Sequence, residues 1–349
     1  HPLARPPRLL RRLTPAGPTE PSHDRAVAPR TRGAPRRGPR LATSRGMKQD
    51  GSIDAAIVGG GPAGLAAALW LARFRRDIRL FDGGPTRNEA TWAVHGYPGV
   101  PDLPPAELRR RMREQALGAG AMIVPARVRR VEGEKNSFQV VTDDGAHYVA
   151  RRILLAFGRT DILPEIDGLA DHLGISVFHC PDCDGPSVAG ARVGVLGHER
   201  RAAALALYLL AWADSTVLLT HGHEPVLEPH VRQLLDRWGV DIRTDPVSAF
   251  EGRRGQLQRA RFDGDAEPLD ALFIRLGSRP GSDIADQLGC ECDDEGHIRT
   301  GRAQETSIPG VFAAGDIAGH PHLVVAATAE GVRAALAIHR SLLPPEFEI

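Results

Sequence analysis

Residues 53–64 read IDAAIVGGGPAG, an apolar stretch followed by a glycine-rich turn. The apolar stretch predicts a buried strand, and the run Leu65–Phe74 behind the turn predicts a helix. Gly59, Gly61 and Gly64 have the spacing G-x-G-x-x-G. In that spacing the first glycine allows a tight turn, the second lets the backbone approach a pyrophosphate, and the third lets helix and strand pack closely. The segment therefore predicts a dinucleotide-binding turn.

Two acidic residues stand where strands are predicted to end. Ile78–Phe81 predicts a second strand, and Asp82 follows it at about the ~20-residue offset at which a carboxylate binds a ribose hydroxyl. Thr306–Asp316 reads as a buried strand that ends in a Gly-Asp pair, ahead of a helix predicted from about Leu323 to Leu342. The second acid could meet a cofactor hydroxyl or cap the helix, and the residues alone leave both readings open.

A C-x-x-C pair, Cys180 and Cys183, stands in a chain that has four cysteines. Four cysteines are too few to stabilise a secreted protein of this length by disulfide bonds. We therefore expect a cytoplasmic location and a catalytic or metal-binding role for cysteine. A C-x-x-C pair at a helix start favours thiol–disulfide exchange, because one thiol becomes a reactive thiolate. The alternative is a zinc site completed by Cys290 and Cys292, whose C-x-C spacing is tighter than that of usual zinc pairs. We predict a redox pair and no metal.

The composition is that of a folded protein behind a basic leader. With 349 residues, 42% of them hydrophobic, the chain can form two compact domains. Residues 1–46 contain 11 Arg and nine Pro, so we expect residues 1–50 to be a disordered leader, with Met47 as the effective start. The remaining 33 basic and 41 acidic residues give no sign of a nucleic-acid or membrane-binding surface. The longest apolar run, Ala202–Ala213, is shorter than the ~20 residues that span a bilayer.

The order of these motifs resembles that of the low-molecular-weight thioredoxin reductases. The resemblance rests on the glycine turn, Asp82, the strand Ile153–Gly158, the turn Gly277–Pro280 and the Gly-Asp pair near the C-terminus. It spans about residues 53–342, essentially the whole predicted folded part.

The resemblance implies an α/β fold with two Rossmann-like domains, the second inserted in the first. The FAD-binding domain would be split over residues 51–159 and 275–349. Residues 160–274 would form the inserted domain, which carries the cysteines and is similar to a pyridine-nucleotide domain. Segments 156–160 and 275–279 would pair as a two-stranded hinge.

The same resemblance implies roles for individual residues. Cys183 would face the flavin, Cys180 would exchange with the substrate, and Asp184 would donate and accept protons. His95–Gly99, which reads HGYPG, is similar to an aromatic-Pro-Gly loop near the isoalloxazine. The implied FAD-binding residues are Gly59, Gly61, Pro62, Ala63, Gly64, Asp82, Asn88, Gly158, Gly315, Asp316, Leu323 and Val324. A homodimer is also implied.

A second nucleotide-binding turn is incomplete. The predicted strand Val193–Leu196 leads into Gly197, and a helix is predicted over Ala203–Trp212, but Glu199 occupies the position of the middle glycine. At ~4 Å and an effective dielectric near 20, one pair of like unit charges costs about 4 kcal/mol, whereas a helix N-terminus offers a phosphate only ~0.3–2 kcal/mol. Residues Thr220–Glu224 also lack the acid that binds an NAD ribose and the arginines that bind an NADP phosphate. Arg200 and Arg201 could substitute as phosphate ligands, and the repulsion holds unless Glu199 turns to solvent. With this alternative left open, the residues favour FAD and disfavour NADPH.

Three functions follow as expectations. The first is an FAD-dependent thiol–disulfide oxidoreductase, similar to thioredoxin reductase, that acts on a thioredoxin-like protein. Relatives with a degenerate NADPH site imply the second, a nucleotide-independent dithiol oxidase that closes a small-molecule dithiol with oxygen as acceptor. The third is a non-enzymatic module that holds FAD or zinc. The direction of electron flow stays open.

Overall fold

A computed structural model describes residues 51–319 and 321–347. The leader expected over residues 1–50 lies outside the described residues. Among those described, no helix is both long and apolar enough to cross a membrane.

Strands and helices alternate along the described residues. The strands are β1 (Ile53–Val58), β2 (Ile78–Phe81), β3 (Met122–Val124), β4 (Val128–Glu132), β5 (Phe138–Thr142), β6 (His147–Leu155), β7 (Arg159–Asp161), β8 (Val177–Phe178), β9 (Arg192–Leu196), β10 (Ser215–Leu219), β11 (Asp241–Arg243), β12 (Ala249–Arg253), β13 (Gln256–Arg261), β14 (Ala266–Pro268), β15 (Ala271–Ile274), β16 (Ser278–Pro280) and β17 (Val311–Ala313). The α-helices are α1 (Pro62–Arg73), α2 (Pro105–Gly118), α3 (Pro181–Asp184), α4 (Arg200–Leu209), α5 (Pro229–Trp238), α6 (Ile284–Leu288) and α7 (Val324–Ser341).

The first sheet leads into the glycine-rich turn through β1, and this central strand is buried on both faces. Its order is β3-β2-β1-β6-β5-β4, with β17 also pairing to β6. Along β1, Ala55 and Ile57 point into a core with α1 and α7. Ala56 and Val58 point into a second core that includes α6. Because successive side chains alternate between two buried faces, a strand of this kind is apolar throughout.

The second sheet is wholly parallel, with the order β11-β10-β9-β15-β8. Helices α4 and α5 share a core with it, and β12, β13 and β14 form a small antiparallel sheet beside it. The predicted α/β class with two Rossmann-like sheets is therefore confirmed. The exact domain boundaries at residues 159 and 275 stay a prediction.

A two-stranded antiparallel link, β7 with β16, lies in sequence between the strands of the two sheets. Both strands begin three residues later than the predicted segments 156–160 and 275–279 and end one residue later. The buried side chain of Arg159 donates hydrogen bonds to the carbonyl oxygens of Ser278 and Glu295, both at 2.7 Å. The Arg159 guanidinium therefore connects the β7–β16 pair to Glu295, which follows β16 in the chain.

Three predicted bounds differ from the structure for local reasons. Helix α1 begins at Pro62 rather than Leu65, because a proline is well suited to the first helical position. The strand predicted over Thr306–Asp316 is reduced to β17, since Gly310 adopts φ +85° in a turn just before it. Helix α4 begins three residues earlier than the predicted Ala203, directly after Glu199.

Helices α1 and α7 pack backbone against backbone at a glycine. A Cβ on Gly331 of α7 would collide with the backbone carbonyl of Ala63 in α1. A Cβ on Gly315 would lie 3.0 Å from the Cβ of Ala63. The first turn of α1 is therefore held between backbone segments that tolerate no added side chain.

Gly331→Ala is expected to destabilise the protein by about 1–3 kcal/mol, because the added methyl overpacks a contact between two backbones. The measurement is the free energy of urea unfolding. Gly118→Ala at the end of α2 is the matched control, since a Cβ there meets no atom within 4 Å. It should leave stability unchanged or raise it. Equal unfolding curves for the two variants would contradict the assigned contact.

Candidate active site

The two motif cysteines are joined in a disulfide at the start of α3. Cys180 is the N-cap residue, with its Sγ accepting a hydrogen bond from the Cys183 amide at 3.1 Å. Pro181 occupies the first helical position, where no backbone donor is needed. The predicted pairing of these cysteines at a helix start is present in the structure.

Helix α4 holds this turn in place. The hydroxyl of Tyr208 donates a hydrogen bond to Asp182 at 2.9 Å. A Cβ on Gly185 would lie 2.8 Å from the ring of Trp212, so the backbone after the cysteines packs directly on that indole. Tyr208 and Trp212 meet edge to face, with ring centroids 5.3 Å apart. The second sheet thus supports the disulfide through its first helix.

Asp184, the acid that directly follows Cys183, is buried and only 5% exposed. Burial raises its pKa to about 6, and the nearby imidazole of His95 partly opposes this rise. Among the described residues, its Oδ1 has no hydrogen-bond partner. A carboxyl with a pKa near neutrality can both give and take a proton at physiological pH.

The glycine-rich turn forms a cradle at the N-terminus of α1. A Cβ on Gly59 or Gly64 would collide with backbone atoms, whereas Gly61 has open space up to Thr86 at 3.9 Å. Gly61 caps α1 without any side-chain bond to its first-turn amides. A helix start with bare amides and an open glycine fits a pyrophosphate.

Asp82 lies at the end of β2, as predicted, with its carboxylate beneath Gly60. Its two oxygens pair with Arg109 and Arg113 of α2 at 2.5 and 2.8 Å. Nothing in the sequence of α2 marks these two arginines apart from its other charged residues. The pairs fix the carboxylate beside the cradle.

Arg87 is a further functional candidate, and its position in a loop gives no sign of its partners in the sequence. Its guanidinium binds Asp161 of β7 at 2.5–3.1 Å and Asp316 at 3.0 Å. It also contacts Nδ1 of His322 at 2.9 Å. Burial is the largest single influence on Asp161 and opposes its ionisation. The hydrogen bonds from Arg87, together with the positive charges of Arg87, His179 and His322, outweigh burial and hold the pKa of Asp161 below its ordinary value. The Nδ1 of His179, next to the disulfide, lies 3.7 Å from Asp161. Arg87 therefore connects Asp316 to Asp161, which in turn lies next to His179 and the disulfide.

The other predicted cofactor residues occupy backbone positions near these groups. The Asn88 side chain accepts a hydrogen bond from Thr86 at 3.1 Å. Gly158 has φ +64°, and the Gly315 amide donates to Glu330 at 2.7 Å. Leu323 is the N-cap of α7, and Val324 is its first residue.

Residues 223–228 pack beside the loop that follows β9. The Val226 amide donates to the His198 carbonyl at 3.0 Å, and Glu199 and Val226 form an isolated parallel bridge. The rings of His198 and His223 stack with centroids 4.5 Å apart. A cavity of about 520 Å³ remains between these segments, and Glu199 and Glu228 line it.

The remaining cysteines stand apart from the disulfide. Cys290 and Cys292 are both free thiols. Burial raises the pKa of each. Within residues 51–319 and 321–347, no three His, Cys, Asp or Glu side chains are grouped so that they could hold a metal ion.

A phosphate cradle and a C-x-x-C disulfide, each carried by its own Rossmann-like sheet, define a dinucleotide-dependent disulfide oxidoreductase. Residues 53–331 match the family described as pyridine nucleotide-disulphide oxidoreductase, and the chain belongs to this family.

Individual proteins that are similar to this chain support the same family assignment. The thioredoxin reductase tcpT of Claviceps purpurea is 32% identical over 77% of this chain and 88% of its own length. The crystal structure of HlmI is 33% identical, with a TM-score of 0.79, and the match covers 85% of this chain and 94% of that one. The crystal structure of an oxidoreductase from Agrobacterium tumefaciens is 34% identical, with a TM-score of 0.76, and the match covers 84% of this chain and 99% of that one. The predicted class, a thioredoxin-reductase-like flavin-dependent disulfide oxidoreductase, is confirmed.

Asp184→Asn is expected to stabilise the protein more at about pH 7.5 than at about pH 4. An unfolded aspartate has a pKa of about 3.9, and burial raises the pKa of Asp184 to about 6. Between these values the folded protein holds a proton that the unfolded chain has lost, so stability falls as the pH rises through this window. The measurement is the Tm difference between variant and wild type across the window. Asp263→Asn, at an exposed loop position, should give a difference that does not vary with pH. The same flat result for Asp184→Asn would contradict the burial argument.

Proposed function

We propose that this protein is an FAD-dependent dithiol oxidase in which Cys180 and Cys183 carry electrons from an external dithiol to the flavin without a pyridine nucleotide. The observation that carries the proposal is the lining of the loop after β9. The backbone of Val226 pairs with His198 and Glu199 there, and the cavity of about 520 Å³ that remains is lined by the carboxylates of Glu199 and Glu228, which repel a phosphate.

The charges at that loop also favour the proposal. The Glu199 side chain is exposed to solvent, which weakens its repulsion of a phosphate, but it still lines the cavity at the position of the middle glycine. Arg200 lies 3.9 Å from Glu228, and Arg201 is bound to Glu295 at 2.6 Å. Both arginines that could have bound a phosphate therefore have carboxylate partners. A 2′-phosphate or pyrophosphate would meet acids here and would have to displace existing ion pairs.

The first cradle fits FAD. The pyrophosphate would lie against Gly59, Gly61, Pro62, Ala63 and Gly64, and Asp82 would face the adenosine ribose. Asn88, Gly158, Gly315, Asp316, Leu323 and Val324 are proposed as the further contacts. Bound FAD supplies the two-electron link between the dithiol and oxygen, which leaves as hydrogen peroxide.

The cysteine chemistry follows from the geometry of α3. A substrate thiolate attacks Sγ of Cys180, the Cys180–Cys183 bond breaks, and its electron pair leaves on Cys183. The second substrate thiolate then attacks the substrate sulfur of the mixed disulfide, which closes the substrate disulfide and releases Cys180. Asp184, buried beside the pair, takes up and returns the thiol proton. A thioredoxin-like partner and a homodimer stay predictions from the family resemblance.

The first test is anaerobic stopped-flow absorbance of the purified flavoprotein. Dithiothreitol is expected to bleach the flavin band near ~450 nm, and admitting air is expected to restore it with release of peroxide. NADPH and NADH are expected to leave the band unchanged over the same time. Rapid bleaching by NADPH would overturn the nucleotide-independent proposal and favour a reductase that acts on a thioredoxin-like protein.

Cys183→Ser is expected to abolish bleaching by dithiothreitol while FAD stays bound, because the thiol that passes electrons to the flavin is lost. FAD content is measured from the absorbance of the denatured protein, and bleaching is measured by stopped flow. Cys292→Ser is the matched control, since that free thiol lies outside the proposed path and should bleach at the wild-type rate. Wild-type bleaching in Cys183→Ser would remove this cysteine from the mechanism.

A further inference from the structure

The turn after β17 has a backbone conformation that needs support from its surroundings. Gly315 has φ +80° and ψ −160°, a combination that is essentially restricted to glycine. Before it, the amide of Ala314 donates to the carbonyl of Leu155 in β6 at 3.0 Å. After it, the amide of Ala318 donates to the carbonyl of Gly315 at 2.7 Å. These two bonds do not involve the amide of Gly315, which is bonded to α7 instead.

Glu330 of α7 is the partner of that amide. Its Oε2 atom accepts a hydrogen bond from the Gly315 amide at 2.7 Å. The Glu330 side chain is only 15% exposed. Burial raises its pKa, and the Gly315 amide and Arg333 partly oppose this rise. Because Gly315 is buried as well, removal of the acceptor oxygen would leave a backbone donor without its partner away from water, which is unfavourable.

The bond to the amide is closer than the ion pair that Glu330 makes along its own helix. The other oxygen, Oε1, lies 3.9 Å from the guanidinium of Arg333, whose side chain is 55% exposed. An exposed pair of this kind contributes little to stability, because water screens the two charges. The buried turn, rather than the surface arginine, therefore determines where the Glu330 carboxyl group lies.

Asp316 depends on this turn for the direction of its side chain. It directly follows Gly315, and its Oδ2 atom accepts a hydrogen bond from Arg87 at 3.0 Å. A carboxylate has about four acceptor sites on its two oxygens, so the bond from Arg87 leaves capacity for a cofactor hydroxyl. A rotation of the Gly315 peptide would move the carboxylate away from both.

The same stretch of α7 also contacts the glycine-rich cradle. Gly331, the residue after Glu330, packs on the backbone of Ala63 in the first turn of α1. A Cβ on Gly315 would lie 3.0 Å from the Cβ of the same alanine. Two consecutive residues of α7 therefore touch both of the elements that we assign to FAD, the cradle and the turn before Asp316.

We propose that Glu330 is a positioning residue for FAD, because its carboxyl group holds the Gly315 amide and so fixes the turn that presents Asp316 to the cofactor. The proposal rests on the assignment of the first cradle to FAD. It is independent of whether a pyridine nucleotide binds at the second sheet. Its consequence is that loss of the acceptor oxygen, rather than loss of the charge, speeds the release of FAD.

The test follows the exchange of bound FAD for isotope-labelled FAD in the loaded protein. Wild type and variants are mixed with an excess of labelled cofactor and separated from free FAD at set times. The protein is then denatured, and mass spectrometry counts the unlabelled fraction. Glu330→Leu, which keeps a bulky side chain but no acceptor, is expected to exchange at least about tenfold faster than wild type. Glu330→Gln, which is also uncharged but keeps an acceptor oxygen, is expected to stay within about threefold of wild type.

Arg333→Ala is the matched control, because it removes the ion pair along α7 and leaves the bond to the Gly315 amide in place. It should exchange FAD at the wild-type rate. Wild-type exchange in Glu330→Leu would overturn the positioning role. Equally fast exchange in Glu330→Leu and Glu330→Gln would overturn it too, because the charge would then matter and the acceptor would not.

Circular dichroism shows whether each variant is folded. If Glu330→Leu does not fold, Glu330→Asp replaces it, since the side chain is one methylene too short to reach the amide. Several-fold faster exchange than in Glu330→Gln is expected, and wild-type exchange would again overturn the role. A wild-type protein that is folded but binds no FAD would instead overturn the assignment of the cradle, and the role of Glu330 with it.

Discussion

The close contact of backbones around the first turn of α1 is the constraint on which the rest of the molecule depends. Gly59 and Gly64 let that turn lie against the end of β1, and Gly331 lets α7 lie against it from the other side. With no side chain between them, the amides at the helix start stay open to a ligand. The chain joins these elements from opposite ends of its folded part, so the cradle exists only when both halves of the first sheet have assembled.

The sequence allowed the local parts of this arrangement to be predicted. The strand–glycine–helix order, the position of Asp82 and the Cys180–Cys183 pair depend on neighbours within a few residues, and each was recognisable from spacing and residue type. Ends of elements were less predictable, because the single turn at Gly310 shortened a long apolar strand to three residues. An apolar pattern records burial, but hydrogen-bond pairing decides where a strand stops.

The parts that could not be predicted join residues far apart in the chain. Arg87 binds Asp161, 74 positions away, and Asp316, 229 positions away. A lone arginine in a loop carries no periodicity that would reveal such partners. The pairing of His95 with Asp102 spans only seven positions, yet it depends on a backbone contact between Val94 and Leu103 that residue type does not specify. Fold class is thus readable from the sequence, whereas charge networks need coordinates.

Glu199 shows how a substitution that disfavours a ligand can suit the free protein. It is the N-cap residue of α4, where a negative charge offsets the helix dipole by about 0.3–1 kcal/mol. The carboxylate of Glu228 lies near the same turn, 3.9 Å from Arg200. The helix thus carries its own anions at the turn that we propose takes no dinucleotide. Under that proposal, folding of the second sheet is not linked to the supply of a ligand, and the platform under the cysteines keeps the same stability at any concentration of nicotinamide nucleotide.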